Sequence, residues 1–360
     1  MVDLSIVIVS WNVKDLLGRC LTSLLADAAG GGHATPLDSP ERETQPPDRK
    51  TLAHKRQPGA GLEVEIIVVD NASNDGSPDM VREQFAHVRL LASNSNLGFV
   101  RANNQGAAAS TGRYVLLLNP DTEVPGGTLA RMVTHMDQHP DIGTLGPRLV
   151  GPDGQVQPSR RRFPTLTTAF LESTVLQQCF PHNRVLERYF IQDRSDDEEQ
   201  DVDWLVGACL LIRRETWEQV GPLDENIFMY SEELDWCRRA KTAGWRVVYV
   251  PWAKIVHHEG QSSSQVVPAR HIYFQSSKVY YFRKYHGAVA SETLRLFLLA
   301  TYVFQLVVEA AKWVVGHKRD LRRERVAAYV RVLRSGLRVR GEYALPPTAP
   351  QQAGTQGTQP

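Results

Sequence analysis

Residues 64–73 read VEIIVVDNAS, and the step from an unbroken apolar run to a carboxylate decides what fold to expect. Val and Ile without polar alternation suit a strand covered on both faces, the usual state of a strand in a parallel sheet. Residues 4–9, LSIVIV, have the same character. Working outward, residues 15–25 set Leu16, Leu17, Cys20, Leu21, Leu24 and Leu25 on one helical stripe. Residues 98–110 give a second helix ahead of a strand at 114–118, and 132–138 a third ahead of a strand at 142–145. This alternation predicts an α/β fold, a doubly wound, Rossmann-like layer with helices on both faces of the sheet and its ligand at the carboxyl ends of the strands.

A chain of 360 residues can bury a sizeable core. With 41 Lys+Arg against 40 Asp+Glu the net charge is +1, which excludes a globally basic nucleic-acid binder and an acidic tail protein. Cys20, Cys179, Cys209 and Cys237 stand far apart with no C-x-x-C pair, so a zinc ribbon is excluded and buried, reduced thiols are expected. The opening run carries Asp3 and lacks the basic and longer apolar regions of a secretory signal, so the catalytic part is expected in the cytoplasm.

Three stretches read as solvated. Residues 27–61 hold only Leu37 and Leu52 as large apolar residues and are expected to be a disordered insertion. The acidic stretch 193–203 lacks the Gly and terminal Glu of a calcium loop. The polar tail 343–360 reads as disordered. Towards the C-terminus, 296–308 is uncharged but is bounded by Arg295, Glu309 and Lys312, short of the ~20 residues that a membrane span needs. Residues 312–340 then carry ten Lys/Arg against Asp320 and Glu324. An apolar helix beside a basic one suits the cytoplasmic membrane surface. The division expected is a catalytic domain at 1–265, a helical, basic, membrane-associating region at 266–342, and the tail.

Four places carry chemistry. Asp70, at the end of its strand, can accept from a nucleobase N–H or a ribose hydroxyl, while Asn71 and Ser73 suit helix capping. No Gly-rich loop follows the first strand, where Ser10-Trp11-Asn12 stands, so a nicotinamide or flavin enzyme is disfavoured and a Walker loop is missing. Asn119-Pro120-Asp121 follows a buried strand, and an acid held there suits a divalent cation as well as a simple turn. Glu232, Glu233 and Asp235 open a helix, where acids favour the positive end; crowding also raises one carboxyl's pKa towards that of a useful base. His257, in His257-His258-Glu259-Gly260, can complete a metal site begun by Asp121.

In order, SIVIVSWN, VVDNASNDGS, NLGFVRANNQG, LLLNPDTE, WLVGAC, FMYSEELDWCRRAKTAGWRVVYVP and HHEG resemble a family 2 glycosyltransferase of the rhamnosyltransferase-like branch, over about residues 3–265. The resemblance implies a GT-A fold and inverting, metal-dependent sugar transfer from a nucleotide-diphosphate donor, with Mn or Mg as cofactor. It implies that Ser10, Asn12, Asp70, Asn71 and Ser73 line the nucleoside pocket, and that Asn103 and Asn104 lie near the diphosphate or donor sugar. Asp121 matches the last acid of the family's D-x-D motif, whose first acid is here Asn119, and His257 matches the downstream metal histidine. Glu233 takes the place of the catalytic base, usually Asp, with Asp235 as the alternative.

The expected function is transfer of a sugar, dTDP-rhamnose being the donor considered, to a saccharide or lipid-linked acceptor in cell-envelope polysaccharide synthesis, at the inner face of the membrane. A sugar-1-phosphate nucleotidyltransferase needs a basic Gly-rich first loop, which Trp11-Asn12 does not supply. A non-catalytic sugar-nucleotide-binding membrane scaffold would explain the loss of the first D-x-D acid but not the retention of Asp121, Glu233 and His257. Arg160, Arg161 and Arg162 read equally as an acceptor contact and as a solvated turn.

Overall fold

The structure is a computed structural model that describes residues 2–29, 61–259, 267–316 and 318–338. β1 (Leu4–Ser10) is buried along its whole length and pairs in parallel with β2 (Val64–Asp70), Ser10 lying opposite Asp70. β3 (Arg89–Ala92) adds beyond β2 and β4 (Tyr114–Leu118) beyond β1, again in parallel. Four strands thus end at one edge, which is where a ligand meets a parallel sheet. The crossovers are α1 (Lys14–Ala29), α2 (Ser77–Gln84) and α3 (Phe99–Ala108).

The second half is mixed rather than parallel. After β5 (Thr122–Glu123), α4 (Thr128–Gln138) and β6 (Ile142–Val150) come β7 (Val156–Gln157), β8 (Arg160–Arg161) and three short helices. These are α5 (Leu166–Leu171), α6 (Val175–Cys179) and α7 (Arg184–Tyr189). β9 (Gln200–Asp201), β10 (Trp204–Leu205), β11 (Cys209–Arg213), α8 (Arg214–Val220), α9 (Glu232–Thr242) and β12 (Arg246–His257) complete the layer. The main sheet runs β3-β2-β1-β4-β11-β6-β12-β5, with β11 antiparallel to both neighbours. The sheet has helices on both faces. Leu17, Leu21, Met80 and Met132 fill one core, and Val100, Trp217, Trp236 and Phe282 fill the other.

Several boundaries differ from expectation. α1 continues through Ala29, and Asp27, read as the start of the insertion, is buried and accepts from the Thr128 N–H at 2.8 Å at the head of α4. The rest of that insertion, 30–60, lies outside the described residues, as does the tail from 339. The acidic stretch is not merely solvated. Asp193 pairs with Arg162 at 2.8 Å, Asp196 with Arg160, Asp197 with Arg148, and Asp203 with Lys241 at 3.0 Å, so the loop is strapped to the basic turn. All four cysteines are free, and Cys20, Cys209 and Cys237 are buried.

α10 (Val267–Val314) breaks at Gly287, whose φ of 87° only glycine adopts readily, and its first half buries Tyr281 and Phe282 in the same core as Trp236 of α9. The second half pairs with α11 (Arg319–Ser335) through the Arg322–Glu309 ion pair at 2.5 Å. The helix Pro268–Val314 is long and apolar enough, by length and composition, to cross a membrane. Leu296, Val303, Phe304, Val307 and Val314 are exposed on it at helical spacing.

Candidate active site

The carboxyl ends of β1, β2 and β4 open into a cavity of about 250 Å³. Trp11, Asn71, Phe99 and Asn119 line the sheet side, and Gly207, Glu232, Glu233, Arg270 and Tyr273 the opposite side. Asp121 and His257 share the same lining. They are 136 positions apart in sequence, and a strand register joins them: His257 pairs with Thr122 and Val256 with Glu123, while the His258 N–H donates to the Asp121 carbonyl at 2.9 Å. A register shift in β12 between Val250 and Lys254, across Pro251, aims the strand end there. The strand therefore continues past Pro251 to His257.

His257 Nε2 lies 3.4 Å from Asp121 Oδ1, and neither buried atom has a hydrogen-bond partner among the described residues. Gln157 sets the ring. Its Nε2 donates to the His257 carbonyl at 2.9 Å, so its Oε1 faces His257 Nδ1 at 2.9 Å and can only accept. Nδ1 therefore carries a proton, and in the neutral ring Nε2 presents a lone pair to a carboxylate oxygen. Two acceptors facing each other call for a cation between them. Asn119 Oδ1, in the position of the missing acid, is a third buried acceptor without a partner among the described residues. The donor set of one carboxylate, one imidazole and one amide oxygen fits Mn or Mg with donor phosphates and water completing the shell. Among the described residues no group of three His, Cys, Asp or Glu side chains forms a metal cage.

Across the cleft, α9 starts after Tyr230 and Ser231, both at positive φ (68° and 67°), a strained entry of the kind that functional sites hold. It puts Glu232 and Glu233 side by side in the lining. Burial pushes the Glu233 carboxyl above its ordinary range, and burial reinforced by the Glu233 charge holds Glu232 higher still. Two buried carboxyls held this close favour sharing a proton over carrying two charges. Gly207 N–H also donates to Glu233.

Asp235 does not face the cleft. It is 1 % exposed and accepts from Arg239 Nε at 2.9 Å, Tyr285 Oη at 2.7 Å and Lys284 Nζ at 2.7 Å, which ties α9 to α10. On a helix, positions 233 and 235 point about 200° apart, so one acid takes the cleft and the other the core. Asn103 and Asn104 are likewise not in the lining. Asn103 Nδ2 bonds the Phe99 carbonyl at 2.9 Å within its own helix, and Asn104 clamps Leu223 through its carbonyl and N–H, both at 2.9 Å.

In the nucleoside region Asn71 lines the cleft and braces its rim, donating to the Gly98 carbonyl at 3.1 Å and accepting from the Leu97 N–H at 3.2 Å. Asp70 is buried behind it, one oxygen accepting from the Ser73 N–H at 2.9 Å and the other unpartnered among the described residues. Ser10 is fully buried, its hydroxyl also unpartnered there. Asn12 and Ser73 bond each other, Asn12 N–H to Ser73 Oγ at 3.0 Å, and Trp11 rather than Asn12 reaches the cleft. Gly98 is required where the rim closes, since a Cβ there would lie 2.6 Å from the Phe228 ring. Trp11, Phe228, Tyr273 and Gln157 were missed in sequence. Trp11 and Phe228 stand inside quoted motifs, whereas nothing local marks Gln157 or Tyr273.

The carboxyl edge of the sheet thus sets a carboxylate pair and an Asp/His pair in one cleft. A sequence profile of glycosyl transferase family 2 matches residues 49–218. The N-acetylglucosaminyl-diphospho-decaprenol L-rhamnosyltransferase of Mycobacterium tuberculosis is 35% identical over 230 residues, 61% of this chain and 74% of that protein. Rhamnosyltransferase WbbL of Escherichia coli (strain K12) is 28% identical over 146 residues, 40% of this chain and 52% of that one. The solved mannosyltransferase PcManGT from Pyrobaculum calidifontis, in complex with GDP-Man and Mn2+, superposes with a TM-score of 0.50 over 93% of this chain and 86% of its own, at 16% identity, a likeness of fold. The fold is GT-A, and the chain belongs to glycosyl transferase family 2, on its rhamnosyltransferase-like branch.

Proposed function

We propose that the chain moves L-rhamnose from dTDP-rhamnose to a lipid-linked saccharide in cell-envelope polysaccharide synthesis, with inversion at the anomeric carbon. The observation that carries this reading is that a carboxylate of raised pKa and a pair of opposed metal-type acceptors share one cleft at the carboxyl edge of the sheet. The names of the two rhamnosyltransferase relatives support the sugar, and the lipid-linked substrate in the Mycobacterium tuberculosis name supports the acceptor class.

In this reading Glu233 takes the proton of the acceptor hydroxyl as its oxygen attacks from the face opposite the nucleotide, so inversion follows from geometry. Asp121 and His257, with Asn119, would hold Mn or Mg. When bound, the cation supplies positive charge against which the departing diphosphate is neutralised. Asn71 and Trp11 form the nucleoside wall, with Ser10, Asp70 and Ser73 supporting it from behind. The exposed apolar row on α10 and the basic α11 beside it keep the enzyme on the cytoplasmic face of an anionic bilayer, peripheral rather than spanning.

The test is purified protein with dTDP-L-rhamnose and a short-chain diphosphate-linked saccharide, followed by NMR of the product. Transfer with inverted anomeric configuration, dependent on Mn or Mg and abolished by chelator, is expected. Retention, or full-rate turnover in chelator, would contradict it.

A further inference from the structure

The cleft is lined by the carboxyl side chains of Asp121, Glu232, Glu233 and Glu259, and among the described residues Arg270 is the one lysine or arginine in that lining. No step above uses it. Arg270 is exposed, in the first turn of α10, and has no ion pair or hydrogen bond among the described residues. A cation in a first turn opposes the helix dipole, and without a carboxylate partner it gains nothing from folding in return. Helix stability therefore does not explain an arginine at this position.

The helix that carries it is pinned. Positions 270, 273 and 277 share one face of α10. On that face the Tyr273 ring stacks on Phe228 with 4.5 Å between centroids, and Ser277 Oγ donates to the Met229 carbonyl at 2.8 Å. The Phe228 carbonyl in turn accepts from the Phe99 N–H at 3.0 Å, at the head of α3. These anchors fix the backbone of Arg270 at the cleft, while its guanidinium keeps its donors for a ligand.

Electrostatics point to the kind of ligand. A sugar nucleotide brings a diphosphate dianion into a cleft that already holds several carboxyl groups. One divalent cation balances the dianion but not the Asp121 and Glu259 carboxylates beside it, so a second positive charge is favoured there. A planar guanidinium also presents paired N–H donors that match two oxygens of one phosphate.

We infer that Arg270 binds the diphosphate of the donor and stabilises it as it leaves. The inference rests on the proposed transferase reading for the presence of a diphosphate. As the acceptor oxygen bonds to the anomeric carbon, the bond from that carbon to the diphosphate breaks, and its electron pair stays on the phosphoryl oxygen. The acceptor proton passes to Glu233. The charge gained by the phosphoryl oxygen is the charge that the guanidinium meets.

Binding, read apart from turnover, tests it. With Mn present, dTDP, UDP and GDP are titrated by calorimetry, and thymidine by NMR, into the full chain, Arg270→Met and Arg270→Lys. The side chain is exposed, so the ligand-free variants should melt as wild type does. Arg270→Met should bind dTDP at least about tenfold more weakly, the scale of a hydrogen bond to a charged group, with thymidine affinity within about twofold. Single-turnover transfer should slow by about tenfold or more. Arg270→Lys keeps the charge without the fork and should recover part of both losses. Unchanged dTDP affinity in Arg270→Met, equal losses for dTDP and thymidine, or no binding of any nucleoside diphosphate by wild type would overturn the assignment. Arg270-dependent binding of a nucleoside diphosphate by a chain that transfers no sugar would instead leave Arg270 in place and remove the transferase reading.

Discussion

His257 Nε2 faces Asp121 Oδ1 at 3.4 Å, and Gln157 fixes the ring by accepting from the other nitrogen, Nδ1, while donating to the His257 carbonyl. Gln157 is therefore a positioning residue for a cation. Gln157→Leu should lower Mn affinity by about 10–100-fold, the usual cost of losing a group that orients a metal-bound histidine. Calorimetric Mn titration in the presence of dTDP checks this; unchanged affinity would mean that the ring needs no such support.

Asp235 and Glu233 separate structure from chemistry. Asp235→Asn weakens two bonds between α9 and α10, to Tyr285 and Lys284, and one to Arg239 within α9, and should cost about 3–5 kcal/mol of stability, the scale for breaking a buried ion pair. Transfer by the folded fraction should stay within about threefold of wild type, because the side chain does not reach the cleft. Urea unfolding and kcat measured on the same samples decide between this and a catalytic Asp235.

Glu232 gives a pH signature. Its carboxyl is held well above the ordinary 4.5 by burial and by Glu233. Such a group favours folding below its unfolded pKa and costs stability as pH rises through the folded value. Glu232→Gln, neutral at every pH, should melt above wild type near about pH 8 and converge with it near about pH 4. A melting difference independent of pH would contradict the assignment. The raised Glu233 pKa likewise places the acidic limb of the transfer rate above 4.5, with the rate falling as pH drops through it.

The apolar row on α10 has its own readout. Val303, Phe304 and Val307 are each about half exposed or more. Replacing all three with Ser should lower binding to phosphatidylglycerol vesicles by at least about tenfold, given the apolar area lost. High salt should weaken what remains through the arginines of α11. Sedimentation with vesicles measures both, and unaltered partition would place the attachment elsewhere.

The α/β layer was legible because β1, β2 and β4 are continuous apolar runs, a signal that needs no knowledge of partners. The antiparallel β11 was not, since Cys209–Arg213 carries the same apolar signature as a parallel strand and its direction depends on pairing with β4 and β6. The site divides in the same way. Asp121, Glu233 and His257 stand in motifs with fixed spacing. Asp235 looks like a third candidate until Lys284 and Tyr285, about fifty positions on, are seen to bind it. Asn104 and the pairing of Arg162 with Asp193 are also long-range facts. The acidic stretch is solvent-exposed as expected, but its ion pairs to Arg148, Arg160 and Arg162 were not legible.

The assignment of Glu233 as base is tested most directly by Glu233→Gln, assayed for rhamnosyl transfer and, on the same preparation, for dTDP binding. Loss of one general base predicts a fall in kcat of about 10²–10⁴-fold with dTDP affinity within about twofold. Transfer at the wild-type rate by the folded variant would contradict the account.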